Sequence, residues 1–108
     1  VSGKPVRLRA LAHADAQNAI DHYLREAGAP VALGFIDALE ATYRGIAARP
    51  AAGSPRYGHE LAVPGLRSRG LKRYRYLVFY MERDDHIEVW RVLHAERDIP
   101  ARMQEAEG

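Results

Sequence analysis

The sequence predicts an α+β fold: a strand, a two-helix antiparallel hairpin, then a three-stranded, mostly antiparallel sheet and a short C-terminal helix. Three patterns carry that expectation. Residues 76–82 and 86–94 are rich in β-branched, aromatic and aliphatic side chains, and the polar trio Arg83, Asp84, Asp85 between them supplies a tight turn. Two stretches with apolar residues three and four apart precede this hairpin, separated only by Gly28 and Ala29. A short alternating run over residues 6–11 opens the chain.

In that opening run Val6, Leu8 and Ala10 alternate with Arg7, Arg9 and Leu11, which reads as a strand with one apolar face. The first helix, with Asp15 or His13 as a cap, buries a stripe of Ala16, Ala19, Ile20, Tyr23, Leu24 and Ala27 and ends at Gly28. The second starts near Pro30, where a first-turn proline is tolerated, and carries Ala32, Phe35, Ile36, Leu39, Tyr43 and Ile46 up to Pro50. So short a joint makes the helices antiparallel neighbours. Gly34 and Gly45 each cost about 1 kcal/mol of helix propensity relative to alanine, so a tight contact is expected at both.

Residues 50–64 read as a loop, with 60–63 briefly ordered. Residues 66–71 form a second strand with Arg67 and Arg69 on one face. In the hairpin, Leu77, Phe79 and Met81 oppose Tyr76, Val78 and Tyr80, while Ile87, Val89, Arg91 and Leu93 oppose Glu88, Trp90, Val92 and His94. Strands apolar on both sides must be covered on both sides, within the domain or by a partner. Arg91, set in an apolar row, needs a carboxylate such as Asp98, Asp37 or Glu40. Asp98 caps a last helix beginning near Pro100.

Composition narrows the function classes. A chain of 108 residues is expected to form one domain over 1–108. Without cysteine there is no thiolate chemistry and no cysteine zinc site. No apolar run is long enough to span a bilayer, and the N-terminal residues lack a signal-peptide pattern, so a cytoplasmic protein without membrane contact is expected. The net charge of +2 is small, but residues 56–75 hold six basic side chains (Arg56, Arg67, Arg69, Lys72, Arg73, Arg75) against Glu60 alone. Such a segment suits an acidic protein surface or phosphates equally well, and the bland alternative is a solvated face.

Pro64-Gly65-Leu66-Arg67, Tyr76-Leu77-Val78-Phe79-Tyr80 and above all Arg91-Val92-Leu93-His94-Ala95-Glu96-Arg97-Asp98 resemble the ParE-like branch of the RelE/ParE toxins of bacterial toxin–antitoxin modules. The resemblance implies a toxin silenced by a ParD-like antitoxin in a hetero-oligomer, and it carries two activities: inhibition of DNA gyrase by binding, and RelE-type cleavage of mRNA on the ribosome. An inactive interaction module of the same fold is a third reading. The tail beyond Asp98 favours the gyrase branch. On that branch Arg67, Arg69, Lys72, Arg73, Arg75, Tyr80, Trp90, Arg97 and Asp98 form the partner surface, and no residue is catalytic. Charge reversal at Arg69 or Arg73, or truncation after Arg97, should then abolish toxicity without unfolding.

For a nuclease, Arg69 and Arg91 would serve the phosphate, and His94 or Glu60 would move protons. The simpler reading of His94 is a strand-end ring bonded to Glu96 or Asp98, and Tyr76, Tyr80 and Trp90 are core or partner contacts before they are base platforms. His13, His22, His59 and His86 have no metal-ligand spacing, so no metal and no cofactor are expected, and direct nucleic-acid binding is disfavoured.

Overall fold

A computed structural model describes residues 3–107. The chain runs β1 (Val6–Leu8), α1 (Ala10–Ala27), α2 (Ala29–Ala48), a 3-10 turn at Pro50–Ala52, α3 (Arg56–Glu60), β2 (Leu66–Gly70), β3 (Tyr76–Glu82), β4 (Ile87–His94) and α4 (Ile99–Glu107). The four strands lie in the order β1-β4-β3-β2, with β1 parallel to β4 and the other pairs antiparallel.

The strand at the start is shorter than its pattern. Arg9 is extended and donates its N–H to the Val89 carbonyl at 3.0 Å, while its own carbonyl already accepts from His13, so strand passes into helix with no room for a side-chain cap. His13 and Asp15 therefore sit inside α1. Gly28 alone joins the helices: at φ +90 it accommodates a turn that an L side chain resists, closing α1 on the Tyr23 carbonyl and opening α2.

The helix pair covers one face of the sheet. Ala12, Ala19, Phe35, Leu39 and Ile46 meet Val78, Tyr80, Ile87, Val89 and Val92 in one core. Leu24 is half exposed and Ala27 exposed, so the end of the stripe read on α1 is not core. Both expected glycine contacts exist, one with the β2–β3 turn and one with β2: the Tyr74 hydroxyl faces Gly34, and the Arg69 guanidinium faces Gly45.

The far face is covered within the chain too. Leu66, Phe79, Met81, Trp90 and Leu93 pack under α4 through Ile99 and Met103, with Tyr57, Leu61 and Val63 from α3 and its following turn alongside. The two-sided hairpin thus needs no partner to hide its apolar rows. Truncation after Arg97 would strip Ile99 and Met103 from this core, so it cannot leave the fold intact. The 56–60 helix also falls inside the expected loop, four residues earlier than the ordered stretch read there.

One irregularity reorganises β4. Tyr80 pairs with Val89 and Phe79 with Arg91, leaving Trp90 as an extra residue, a β-bulge. Alternation changes phase there: Ile87, Val89 and Val92 enter the helix-side core, whereas Trp90 and Leu93 enter the far one. The regular alternation expected for Ile87, Val89, Arg91 and Leu93 fails for that reason.

Candidate functional site

β1 stops at Leu8, so beyond Val89 the edge of β4 has no strand beside it. Asp15, on the passing turn of α1, takes that place. Its Oδ2 accepts the Val92 N–H at 3.0 Å and Arg91 Nε at 2.7 Å, and its Oδ1 accepts Arg91 Nη2 at 2.8 Å. Arg91 Nη1 donates to the Arg102 carbonyl of α4 at 2.8 Å. Arg91 is 3% exposed, so its fork is satisfied inside the protein. The expectation that Arg91 is buried and paired holds; the partner is Asp15, not Asp98, Asp37 or Glu40.

At the near end of β4 a second carboxylate is enclosed by donors. Glu88 Oε1 accepts from Trp90 Nε1 (2.9 Å), Arg83 Nη2 (2.9 Å) and Arg9 Nη2 (3.2 Å), and Arg9 also lies 4.1 Å above the Trp90 ring. Burial pushes the Glu88 pKa up, but the hydrogen bonds from Trp90, Arg83 and Arg9 outweigh it and bring it down to about 2.

The opposite end of the sheet gathers cations. The β2–β3 turn and the exit of β4 are neighbours there, since Tyr76 pairs with His94 and the Ala95 N–H donates to the Arg75 carbonyl. Lys72 and Arg73 stand exposed on the turn without an ion-pair partner among the described residues. Arg75 pairs with Glu96 at 3.1 Å, with both side chains largely in solvent. Arg97 follows, and with Arg25 of α1 it lines a cleft of about 470 Å³ that also includes Asp15, Tyr76, Arg91 and Val92. Beneath lies an aromatic cluster: Phe35 contacts Tyr74 and Tyr76 at 5.4 and 5.2 Å, and Tyr23 contacts Phe35 at 5.2 Å. Burial raises the pKa of both Tyr23 and Tyr76.

Of the residues read as partner surface, this end collects Lys72, Arg73, Arg75 and Arg97. The rest go elsewhere. Tyr80 is fully buried with its hydroxyl on the Pro50 carbonyl, and Trp90 is 7% exposed under α4, so neither presents a surface. Asp98 is the α4 cap, accepting the Ala101 N–H at 3.3 Å. Arg67 and Arg69 lie on the helix side at the β2 edge, where Arg67 Nη1 donates to the Gly53 carbonyl and Arg69 Nη1 is buried against α2 with no partner among the described residues. Charge reversal at Arg69 would press an acid against the helix and is no clean test of contact.

The four residues considered for a nuclease do not converge. His94 and Arg91 line the cleft, but Arg69 is two strands away on β2, and Glu60 pairs with Arg56 on α3. His94 accepts the Glu96 backbone N–H on Nδ1 at 3.1 Å and stands edge-on to Tyr76, in place of the carboxylate bond expected. Among the described residues, no three His, Asp or Glu side chains gather as a metal site.

The family model described as the ParE toxin of the type II toxin–antitoxin system parDE matches residues 6–99. The chain belongs to the ParE toxin family. A solved chain of the chromosomal ParDE toxin–antitoxin system from P. aeruginosa has the same fold, with a TM-score of 0.72 and 23% identity over 86% of this chain and 97% of that one. No curated protein matches the sequence. In this ParE chain, sequence reasoning missed two residues of the cationic end: Arg25 and His22, which look like an ordinary polar helix face. The reason lies in the fold: the first strand has three residues and its neighbour β4 eight, so the helix after the first strand passes the open edge.

Proposed function

We propose that this ParE-family chain is a cytoplasmic toxin that inhibits DNA gyrase by binding, and that a ParD-like antitoxin holds it silent in a hetero-oligomer. The observation carrying the reading is the β2–β3 turn. Lys72 and Arg73 project there unpaired, and Arg73 is kept at φ +69, a conformation costing an L residue about 1–2 kcal/mol. The groups that would move protons in an RNA-cleaving site are meanwhile scattered. Exposed, unpaired cations on a turn suit an acidic protein surface. The P. aeruginosa fold relative belongs to a ParDE system, and a partner of that kind is the corresponding reading here.

Purified protein tests it directly. Wild type should block supercoiling by DNA gyrase, and the double variant Lys72→Glu, Arg73→Glu should not. Codon-positioned cleavage of mRNA on translating ribosomes, with normal supercoiling, overturns the reading. Normal growth on strong expression, from a gene with no antitoxin gene beside it, counts against any toxin.

A further inference from the structure

The cleft beside the open β4 edge has a role that neither family membership nor the β2–β3 turn assigns. Its floor is electrically closed: the Asp15 carboxylate and the Arg91 guanidinium satisfy each other, and Asp15 also holds the Val92 N–H. Its walls are not. Arg25 on α1 and Arg97 after β4 both line the cleft and stand exposed, without an ion-pair partner among the described residues, and His22 lies one turn before Arg25 on the same helix face. The excess positive charge therefore sits where an incoming anion meets it before reaching Asp15. At about 470 Å³ the space accommodates several side chains of an extended segment rather than one small ion.

We infer that this cleft is a docking site for an acidic peptide segment of a protein partner, its carboxylates held between the guanidinium groups of Arg25 and Arg97. Planar guanidinium donors match carboxylates bidentately. A nucleic acid fits less well, because single strands bind on free aromatic faces. The aromatic ring of the cleft, Tyr76, is already held by Phe35 and His94 at 5.2 and 5.1 Å. The segment runs beside β4 where β1 leaves off, using side-chain contacts, since Asp15 occupies the Val92 N–H that an added strand would need.

Fluorescence anisotropy with a labelled oligoglutamate peptide tests the site on the whole chain. Wild type should bind it, more weakly as salt rises. Arg25→Glu and Arg97→Glu should each weaken binding about tenfold or more, while Arg44→Glu, an equal charge change on α2 outside the cleft, should stay within about twofold. Amide shifts on peptide addition give a second measurement that needs no variant: Asn18 and Val92 should move and Arg44 should not. Absence of binding, equal losses in all three variants, shifts confined to other surfaces, or tighter binding of a mixed-sequence single-stranded RNA would each overturn the inference.

Discussion

Basic charge on this sheet is handled in two opposite ways. At the β4 edge Arg91 is enclosed with a carboxylate and a backbone carbonyl of α4, and Arg9 and Arg83, more open to solvent, are paired with Glu88. At the other end Lys72, Arg73 and Arg97 are left to solvent. The first group works for the fold: it substitutes for a missing strand and fastens α1 and α4 to the sheet. The second does nothing for the fold, which is the condition for being spent on a partner. Residue type does not separate the two groups, since both are arginine-rich; the chain's own carboxylates do.

The largest expected effect comes from breaking an enclosed pair. Arg91→Ala leaves Asp15 buried and uncompensated and frees the Arg102 carbonyl, a loss of about 3–5 kcal/mol in urea unfolding. Asp15→Ala should cost a similar amount, and the double variant less than the sum, because the residues act as a pair. Additive losses would mean that the two act separately.

Glu88 gives the next effect, and its sign follows from its pKa. The folded value of about 2 lies below the ordinary 4.5, so the stabilisation is fully present above 4.5 and is lost as pH falls from there through 2. The full shift corresponds to about 3 kcal/mol, solvent screening of the partly exposed cluster leaves on the order of 1–2 kcal/mol, and Glu88→Gln should flatten the stability profile in that window. A profile unchanged by the substitution would show that Arg9, Arg83 and Trp90 hold an unperturbed carboxyl.

These two groups also mark how far the sequence could be read. The hairpin, its turn and the helix joint were legible because β-branched runs, an Arg-Asp-Asp turn and Gly28 are local signals. The bulge was not, since Trp90 fits an alternating pattern as well as its neighbours do. Asp15 reads as a cap because a polar residue near a helix start usually is one; its partner lies 76 positions away and is reached only through strand order. The basic segment was legible as charge. How it divides was not: Arg67 and Arg69 turn inward because their strand partners, Tyr80 and Val78, face the helices.

Arg69 lies between the two treatments, half buried but without a partner for Nη1. Replacing it by an apolar residue of similar length removes an unsatisfied donor and keeps the packing on Gly45. Arg69→Met should therefore change stability by less than about 1 kcal/mol, in the stabilising direction. A loss well beyond that, measured by thermal unfolding, would place Arg69 among the enclosed cations.

The smallest effect on stability should accompany a full loss of function. Arg73 is an L residue held at φ +69 in the β2–β3 turn, and it is exposed. Glycine takes that conformation without strain, although it gives the unfolded chain more freedom, so the two contributions oppose each other. Arg73→Gly should leave stability equal to wild type or raise it by up to about 1 kcal/mol, while removing gyrase inhibition. Arg73→Lys separates shape from charge: it keeps the strain and the positive charge and loses the planar fork, so partial inhibition is expected. If Arg73→Gly inhibits as well as wild type, the turn is not the contact, and the open cations of the cleft wall, Arg25 and Arg97, become the place to look.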